Sequence, residues 1–374
     1  MSSKYKKYNK EINAEISNKL TPSEISRKIL GDSDDSFRRY IQRQMVRINN
    51  KGISESAEAF SVNDSTIKHL WLKDKKSSVF VKNPMYVDPY LLDFETLKGE
   101  LINDLKKYSP KFPTIKRINN EDSYCLVLDP ADIHIGKLCT SFETGQDYNQ
   151  QIAVKRVKEG VTGIINKSRG FNIDKIIFIG GNDILHTDTP KRTTTAGTSQ
   201  DTDGMWYENF LMAKQLYVDV LEMLLTIADV HFVFNPSNHD YTNGFFLADV
   251  VSTYFRNCSN ITFDCSIAHR KYTMYGNSLI GTTHGDGAKQ NDLGMLMSIE
   301  AKGMWANATH RYFYTHHVHH KTSKDLINVT VESLRSPSPS DSWHHRAGYI
   351  SPEAIEGFIH SKVHGQIARL THLF

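Results

Sequence analysis

The chain has 374 residues, of which 39% are hydrophobic and 23% charged, and its formal net charge is +3. This composition is typical of a globular protein, and the length exceeds that of one ordinary domain, so we expect one large domain and a smaller one. The small net charge excludes a uniformly basic chain of the kind that coats nucleic acid or anionic membranes.

Compartment and redox state follow from features that the sequence lacks. The four cysteines show no CxxC spacing, which argues against a zinc ribbon or a redox motif. Neither a secretory signal nor a run of ~18 apolar residues is present. We therefore expect a cytoplasmic protein with reduced thiols and no membrane contact.

The N-terminal region is predicted to have two parts. Residues 1–14 carry Lys4, Lys6, Lys7 and Lys10 and look like a basic tail, either solvated or able to bind phosphate. Residues 15–60 follow as a helical module.

The first helix of this module has clear end signals. Thr21 is a candidate N-cap, Pro22 suits the first helical position, Glu24 completes a capping box, and Gly31 ends the helix.

A second helix of the module is indicated by Phe37, Ile41, Met45 and Ile48, which fall at helical spacing after a polar turn over 32–36. Its polar side carries Arg38, Arg39, Arg43 and Arg47. This arrangement resembles a helix-turn-helix that binds DNA, although the turn is longer than usual. A packing module that supports a homo-oligomer is the alternative interpretation.

Residues 61–120 form a predicted linker region. Short strands are indicated near Trp71 and over 79–81, and the lysine-rich stretch 73–76 looks like a loop. No function is assigned to this region.

From residue 121 to 374 the pattern becomes regular. Apolar runs of strand length each end in a polar loop, and helical patterns at 205–228, 247–257 and 288–302 lie between them. Residues 357–374 alternate like an antiparallel or edge strand pair. Such alternation predicts an α/β sandwich with covered sheets. The predicted strands are Tyr124–Leu128, Ile176–Ile179, Phe232–Phe234, Ser278–Ile280 and Tyr312–Tyr314.

Five polar clusters follow these strands. Carboxylate, imidazole and amide groups are the ligands of manganese, iron or zinc, and a pair of metals needs a bridging carboxylate with further ligands on each side. Alternate residues of an extended segment share a face, so Asp-x-His and His-x-His should each present two ligands together. The clusters are Asp132-Ile133-His134, Gly181-Asn182-Asp183, Asn238-His239-Asp240, His284 and His316-His317-Val318-His319-His320.

In this order the five clusters resemble the motifs of the calcineurin-like metallophosphoesterase superfamily. The resemblance spans about residues 121–334 and implies a four-layer α/β/β/α sandwich that hydrolyses phosphoric esters. It also implies two divalent ions, manganese first, with iron, zinc, nickel or magnesium as alternatives.

The resemblance further implies a role for each motif residue. Asp132, His134, Asp183 and His319 would hold one metal. Asp183, Asn238, His284 and His317 would hold the other, with Asp183 as the bridge. His239 would face the scissile phosphate as general acid or transition-state stabiliser, and Asp240 would orient it.

Three positions depart from the usual motifs: Asn182 lies in Gly-Asn-Asp where Gly-Gly-Asp or Gly-Asp is common, and Ser237 and His316 each replace a glycine. With His316 in place of the glycine, His316, His317, His319 and His320 are all candidate metal ligands. We choose His317 and His319 because they retain the His-x-His spacing.

The residues after Asp183 indicate the branch of the superfamily. No Arg-Gly occurs there and the third motif ends in Asp240, which argues against a protein phosphatase. The Asp183-x-x-His186 spacing resembles the DNA repair exonuclease branch, the family of the double-strand-break nuclease, in phage-type form. His186 would then place the substrate strand, or else support a metal ligand by a hydrogen bond.

Two polar loops are candidate substrate-binding segments. The insert 187–204 follows the bridging carboxylate, and its Lys191, Arg192, Thr193 and Thr194 could bind phosphate oxygens, although a rigid surface loop is the alternative. Nearer the C-terminus, Trp343 could stack on a base or belong to a packed turn.

Three functions compete on the sequence alone. The first is a metal-dependent DNA nuclease or exonuclease, phage-encoded and active in the bacterial host. In this interpretation the N-terminal helices help the enzyme to bind DNA. The second is a phosphodiesterase or phosphatase of small nucleotides. The third is a DNA-binding regulator with an inactive phosphoesterase fold, which the complete ligand set disfavours.

Overall fold

The structure is a computed structural model, and the chain divides into two compact units, Met1–Leu92 and Asp93–Phe374. The residues it describes are 5–31, 34–45, 48, 68–73, 78–82, 86, 94–107, 110, 112–117 and 122–374. Lys4, Arg47 and the loop 74–77 of the predicted linker lie outside them. None of the described helices has the length and apolar character needed to cross a bilayer.

The first unit contains a small helical bundle. Its helices are α1 (Asn9–Ser17), α2 (Pro22–Leu30) and α3 (residues 35–45), with a short 3₁₀ helix at Lys6–Tyr8 before them. The predicted capping box is confirmed: the backbone N–H of Glu24 donates to Thr21 Oγ1, and that of Thr21 donates to the Glu24 carboxylate. Gly31 ends α2 in the left-handed conformation (φ 77°), as predicted.

Two details of this bundle differ from the sequence interpretation. Residues 6–14 are helical rather than a tail, because Ile12 is buried and Tyr8 packs edge-on against Phe37. Residues 35 and 36, predicted to belong to the polar turn, are the first residues of α3, and Asp34 Oδ1 accepts the N–H groups of Ser36 and Phe37 at its start. Four residues therefore separate the end of α2 from the start of α3, the spacing usual in a helix-turn-helix.

A two-stranded antiparallel hairpin completes what is described of the first unit. β1 (His69–Lys73) pairs with β2 (Ser78–Lys82), and Trp71 lies opposite Phe80. The predicted short strands near Trp71 and over 79–81 are therefore present.

The second unit begins before residue 121, where the sequence analysis set the catalytic domain. α4 (Phe94–Lys107) belongs to it, and the segment 112–117 lies along the domain. The backbone N–H of Ile115 donates to Asn260 Oδ1 at 2.9 Å, and the Phe112 ring lies 5.2 Å from that of Phe255. Through these contacts the end of the predicted linker packs against the rest of the second unit.

The first sheet of this unit has six strands in the spatial order β13-β12-β3-β4-β5-β6. The strands from β3 to β6 are parallel, whereas β12 and β13 are antiparallel to their neighbours. The predicted C-terminal antiparallel pair is thus confirmed. The bounds are β3 (Tyr124–Asp129), β4 (Ile173–Gly181), β5 (Asp229–Asn235), β6 (Ile261–Asp264), β12 (Ala354–Ser361) and β13 (Gly365–Leu373).

The second sheet has five strands in the order β10-β11-β9-β8-β7, of which β8, β9 and β11 run parallel. The bounds are β7 (Arg270–Tyr275), β8 (Ser278–Thr283), β9 (His310–Thr315), β10 (Thr322–Leu326) and β11 (Val329–Ser333).

Helices cover the outer face of each sheet. α6, α7 and α8 pack on the first sheet, while α9 and α10 pack on the second. Helical bounds are α5 (Ser141–Thr144), α6 (Gln150–Lys167), α7 (Trp206–Leu225), α8 (Tyr241–Tyr254), α9 (Leu293–Glu300), α10 (Lys302–Asn307) and α11 (Ser342–Ala347), with a 3₁₀ helix at Gln290–Asp292.

Side-chain alternation along the central strands builds the layers. In β4, Ile176 and Phe178 pack against the helices, whereas Ile177 and Ile179 face the other sheet. This two-residue period fills one core on each face of the sheet. The predicted four-layer α/β/β/α sandwich is confirmed.

A buried ionic network also joins the two sheets. The Glu356 carboxylate on β12 is fully buried and pairs with Arg335 at 3.0 Å and with Arg369 on β13 at 2.5 Å. Arg369 also pairs with Glu332 on β11. Glu356 therefore balances two largely buried guanidinium groups.

We predict that Glu356→Ala lowers the free energy of unfolding by about 3–5 kcal/mol, because it leaves the largely buried Arg335 unpaired and Arg369 with Glu332 as its one carboxylate partner. Urea denaturation would measure this. The matched control is Glu300→Ala, which removes the more exposed pair with Arg270 (2.6 Å) and should cost about 1 kcal/mol or less. An equal decrease in the free energy of unfolding in the two variants would contradict the larger contribution that we assign to the buried network.

Candidate metal centre

The five polar clusters meet at one edge of the sandwich. They follow β3, β4 and β5 of the first sheet and β8 and β9 of the second, and within each sheet these strands are parallel neighbours. Carboxyl ends of parallel strands lie at the same edge, so the loops that leave them converge.

Three groups of potential metal ligands lie at this edge. The first group is Asp132, His134 and His319, and the second is Asp183, His284 and His317. The third, His134, His186 and His239, shares His134 with the first. Within each group the ligand atoms lie within 4.8 Å of one another. The first two groups divide their residues as the sequence predicted for the two metals, except that Asp183 was predicted to belong to both.

The His284 ring lies between the groups. Its Nε2 is 3.1 Å from Asp183 Oδ2 and 2.9 Å from Asn238 Oδ1, and its Nδ1 is 4.0 Å from Asp132 Oδ1. The seventh predicted ligand, Asn238, is thus placed in the second group. Asp183 was predicted to bridge the two groups and contacts the second directly.

The spacing of donor atoms suits a metal. His134 Nε2 lies 3.3 Å from His319 Nε2, which is 3.5 Å from Asp132 Oδ1. Two ligands about 2.1 Å from one ion, at right or tetrahedral angles, are about 3.0–3.4 Å apart. The residues therefore fit divalent cations in both donor type and separation.

The ligand-bearing loops have an unusual backbone. Nine non-glycine residues of the described chain have positive φ, and six of them belong to this site. Each such residue costs of order 1–3 kcal/mol and persists only where its surroundings impose it. The six are Asp132, His134, Asn182, Asp183, His317 and His319.

The positive φ values show that Asp-x-His and His-x-His do not present two ligands together through an extended backbone, as was expected. Asp132 and His134 have φ of 52° and 51°, and His317 and His319 have 70° and 54°, so neither segment is extended. The paired side chains converge because alternate residues adopt the left-handed conformation, which turns the chain twice within three residues.

Glycine is required at the first position of the second motif. Gly181 has φ 76°, and a Cβ at this position would lie 2.2 Å from the backbone oxygen of Asn235. The next residue, Asn182, is fully buried, and its side-chain amide has no hydrogen-bond partner among the described residues. This close approach of the β4 and β5 ends positions Asp183.

The structure separates the four histidines of the fifth cluster. His316 is buried with Nε2 2.8 Å from Asp129 Oδ2 and Nδ1 3.0 Å from the Thr283 oxygen, so both ring nitrogens are engaged away from the site. His320 is exposed and contacts the Val318 oxygen. Only His317 and His319 join the ligand groups.

His239 and His186 lie beside the first group. The rings of His239 and His134 are 4.6 Å apart, and His186 stacks on His239 at 5.3 Å. His239 Nδ1 lies 2.9 Å from the His186 backbone oxygen, which only accepts, so Nδ1 carries the proton and Nε2 is left for other partners. His186 Nδ1 is 3.3 Å from His134 Nδ1, which supports that ring.

Asp240 does not orient His239, contrary to the sequence expectation. Its carboxyl accepts hydrogen bonds from Ser237 Oγ at 2.6 Å and from the Leu185 N–H at 2.9 Å. The Asp183 N–H in turn donates to Ser237 Oγ at 2.7 Å. Asp240 therefore ties the second motif to the third, and the task assigned to it falls to the His186 carbonyl.

Burial and neighbouring charge set the protonation of the site. Burial would raise the pKa of the Asp183 carboxyl, but the imidazoles of His284 and His239 outweigh it and lower that pKa. Burial would lower the pKa of His284, yet Asp183 and Asp132 raise it to about 9. Burial and neighbouring histidines hold the pKa of His134 well below its usual value. Ionised carboxylates and neutral imidazoles are the forms that bind metal, so a cation at His284 must displace the proton that the raised pKa of this ring favours.

A cleft of about 850 Å³ opens over the ligands. The cleft is lined by the candidate ligands Asp183, His317 and His319 and by His239. Residues 198–201 of the insert also line it. Lys191, Arg192, Thr193 and Thr194, predicted to bind substrate, do not line it.

The insert is a folded loop rather than an open substrate loop. Thr193 pairs with Ser199, Thr194 is buried, and Asp188 accepts the N–H groups of Thr242 and Asn243 at the start of α8. The chain therefore reverses within the insert. As a result residues 198–201 face the cleft, whereas residues 191–194 do not.

The C-terminal polar loop forms another wall of the cleft, and Trp343 lines it. The His344 ring stacks on His319 at 5.4 Å with an interplanar angle of 13°. Residues 198–201 belong to the insert that was selected from the sequence but were not singled out within it, and Arg346 and Tyr349 were not selected. Their position depends on how two long loops fold, for which the sequence carries no spacing signal.

Comparisons with known proteins add only a general likeness. No protein-family model matches the sequence, and neither does any curated protein. Solved structures with a similar fold include an archaeal phosphodiesterase (9% identity, TM-score 0.30, 67% of this chain and 99% of that one). Others are Entamoeba histolytica Vps29 complexed with zinc (12%, 0.29, 66% and 98%) and a predicted phosphoesterase from Streptococcus pneumoniae (13%, 0.26, 67% and 98%). Identities and TM-scores this low do not assign a function.

We predict that the protein binds two Mn²⁺ ions per chain, and that His319→Ala and His317→Ala each remove one, because each substitution breaks a different ligand group. Isothermal titration calorimetry measures the stoichiometry. His320→Ala is the matched control and should still bind two ions. Loss of an ion in His320→Ala, or two ions retained in both ligand variants, would contradict the grouping.

Proposed function

We propose that this chain is a two-metal phosphoesterase that hydrolyses phosphodiester bonds. The observation that carries the proposal is the pair of adjacent groups, each with one aspartate and two histidines, which reach an open cleft through His134, His319, Asp183 and His317. In this proposal Asp132, His134, Asp183 and His319 hold one cation, and Asp183, Asn238, His284 and His317 hold the other. Manganese is the first candidate for both.

Two such cations lower the pKa of a bound water and offset the charge that develops on the phosphoryl group. The chain's own residues supply orientation and proton transfer. The Asp183 carboxylate is fixed by the His239 N–H, which donates to its Oδ1 at 2.9 Å. The Asp132 carboxylate accepts the His317 N–H at 3.2 Å. These backbone donors hold both carboxylates without neutralising them.

His239 is placed to act on the substrate. Its Nδ1 is held by the His186 carbonyl, so the ring has a fixed orientation and its Nε2 is available to the cleft that His239 lines. A protonated Nε2 can donate to the leaving oxygen or to a phosphate oxygen, which is the role of a general acid or of a transition-state stabiliser.

Nucleic acid, with DNA first, is the substrate that we propose. Two features support it: the Asp183-x-x-His186 spacing, and an N-terminal bundle in which four residues separate α2 from α3 and α3 carries exposed arginines. Phosphodiester hydrolysis of small nucleotides is the second candidate, because the modest net charge of +3 favours neither substrate. An inactive regulator is disfavoured because all seven predicted ligands meet at one site.

We predict that the Mn²⁺-loaded protein hydrolyses bis-p-nitrophenyl phosphate and that Asp183→Asn abolishes this activity. His239→Gln should lower kcat by about 10²- to 10⁴-fold with both metals still bound, because it removes the positioned proton donor. Steady-state absorbance assays give kcat, and calorimetry gives the metal content.

The control is His364→Gln, an exposed histidine in the turn between β12 and β13, which should behave as wild type. Removal of the metals by a chelator should abolish hydrolysis, and added Mn²⁺ should restore it. Full activity in His239→Gln would show that this ring has no part in the chemistry.

We also predict that Arg43→Ala in the full chain weakens binding to a duplex DNA oligonucleotide and reduces the salt dependence of its affinity. Loss of one phosphate contact should lower the slope of log affinity against log salt by about 0.9. Fluorescence anisotropy at several salt concentrations measures this. Arg27→Ala on α2, an exposed arginine outside α3, is the matched control. Unchanged DNA binding in Arg43→Ala would favour the small-nucleotide function.

A further inference from the structure

The loop after β11 forms a compact cap beside the ligand groups. Asp341 begins α11 by accepting the His344 N–H at 2.9 Å, and Gly348 ends it in the left-handed conformation (φ 78°). Because the chain reverses at Gly348, Tyr349 returns to Trp343, and the two rings stack at 5.7 Å with an interplanar angle of 29°.

A buried lysine fixes this cap to the metal-binding loops. Lys137, three residues after His134, is 1% exposed. Its Nζ donates to the Pro339 oxygen at 2.7 Å and lies 3.4 Å from Asp341 Oδ2. The other oxygen of Asp341 accepts from His344 Nδ1 at 2.7 Å, and that ring stacks on His319. The cap is therefore tied to the site at two points.

The aromatic pair is anchored yet open to solvent. Trp343 is 64% exposed and Tyr349 58%, although both belong to an ordered helix and turn and both line the metal cleft. The Trp343 ring is 4.9 Å from that of His344, which is 5.4 Å from that of His319. The indole thus lies no farther than about 10 Å from a ligand ring, a separation that one nucleotide can span.

We propose that Trp343 and Tyr349 form a stacking platform for an unpaired nucleobase next to the scissile phosphate. This inference rests on the proposed phosphodiesterase function and deepens it by naming the substrate class, single-stranded nucleic acid or a nucleotide. Flat aromatic surface binds the face of any base, and a base inside a duplex has both faces covered by its neighbours. Arg346, which lines the same cleft, adds a cation that suits the phosphate backbone.

The test compares two substrates that share a leaving group and differ in the base. Thymidine 5′-(p-nitrophenyl phosphate) carries a nucleobase, and methyl p-nitrophenyl phosphate does not. Trp343→Ala should lower kcat/KM for the thymidine diester by about 5- to 150-fold, the effect of losing one stacked base, and should leave the methyl diester unchanged. Trp343→Phe should recover most of the thymidine activity.

Phe142 on α5 provides the matched control. It is a fully exposed aromatic residue that does not line the cleft, so Phe142→Ala should change neither rate. Equal losses on both substrates in Trp343→Ala, or no loss on either, would overturn the platform while leaving the phosphodiesterase function standing. Failure of the Mn²⁺-loaded wild type to hydrolyse either diester would overturn the proposed function and the platform with it.

Discussion

The burial of two neighbouring carboxylates is the constraint on which the ligand loops of the second unit depend. Asp132 and Asp183 are 0% and 1% exposed, and their contacts within the described chain are backbone N–H groups and imidazoles, not lysine or arginine. Two neighbouring carboxylates buried in this way are unfavourable unless cations lie close to them. The adjacent imidazoles, with His134 held neutral by burial, can complete the coordination of such cations. The capacity of the site to bind divalent cations follows from this arrangement of buried carboxylates and imidazoles.

The loops bear this arrangement at a conformational cost. Left-handed backbone at Asp132, His134, Asp183, His317 and His319 is unfavourable in isolation and is imposed by the rigid strand ends that the loops follow. Hydrogen bonds between motifs complete the support: Asp240 joins Ser237 to Leu185, and the Asp132 N–H donates to the Asn182 oxygen. The sandwich thus serves as a scaffold that holds strained ligand loops in one position.

Sequence reasoning predicted the sandwich and selected seven candidate ligands that lie together in the structure, because strand patterns and motif spacing are local signals. It gave the wrong reason for their convergence, since left-handed φ at a non-glycine residue has no sequence signature. It misassigned Asp240 because hydrogen bonds across the fold depend on tertiary distances. The contribution of the insert was misjudged for a similar reason: composition drew attention to Lys191 and Arg192, whereas loop folding turned residues 198–201 to the cleft. α4 was missed within a region that was interpreted as a linker.

The central claim is that the two ligand groups hold a pair of metal ions at once. Anomalous diffraction from Mn²⁺-soaked crystals, with data at the manganese absorption edge, tests it most directly. We expect two anomalous peaks about 3.5–4 Å apart, one at Asp132, His134 and His319 and one at Asp183, His284 and His317. A single peak, or peaks away from these residues at saturating Mn²⁺, would contradict it.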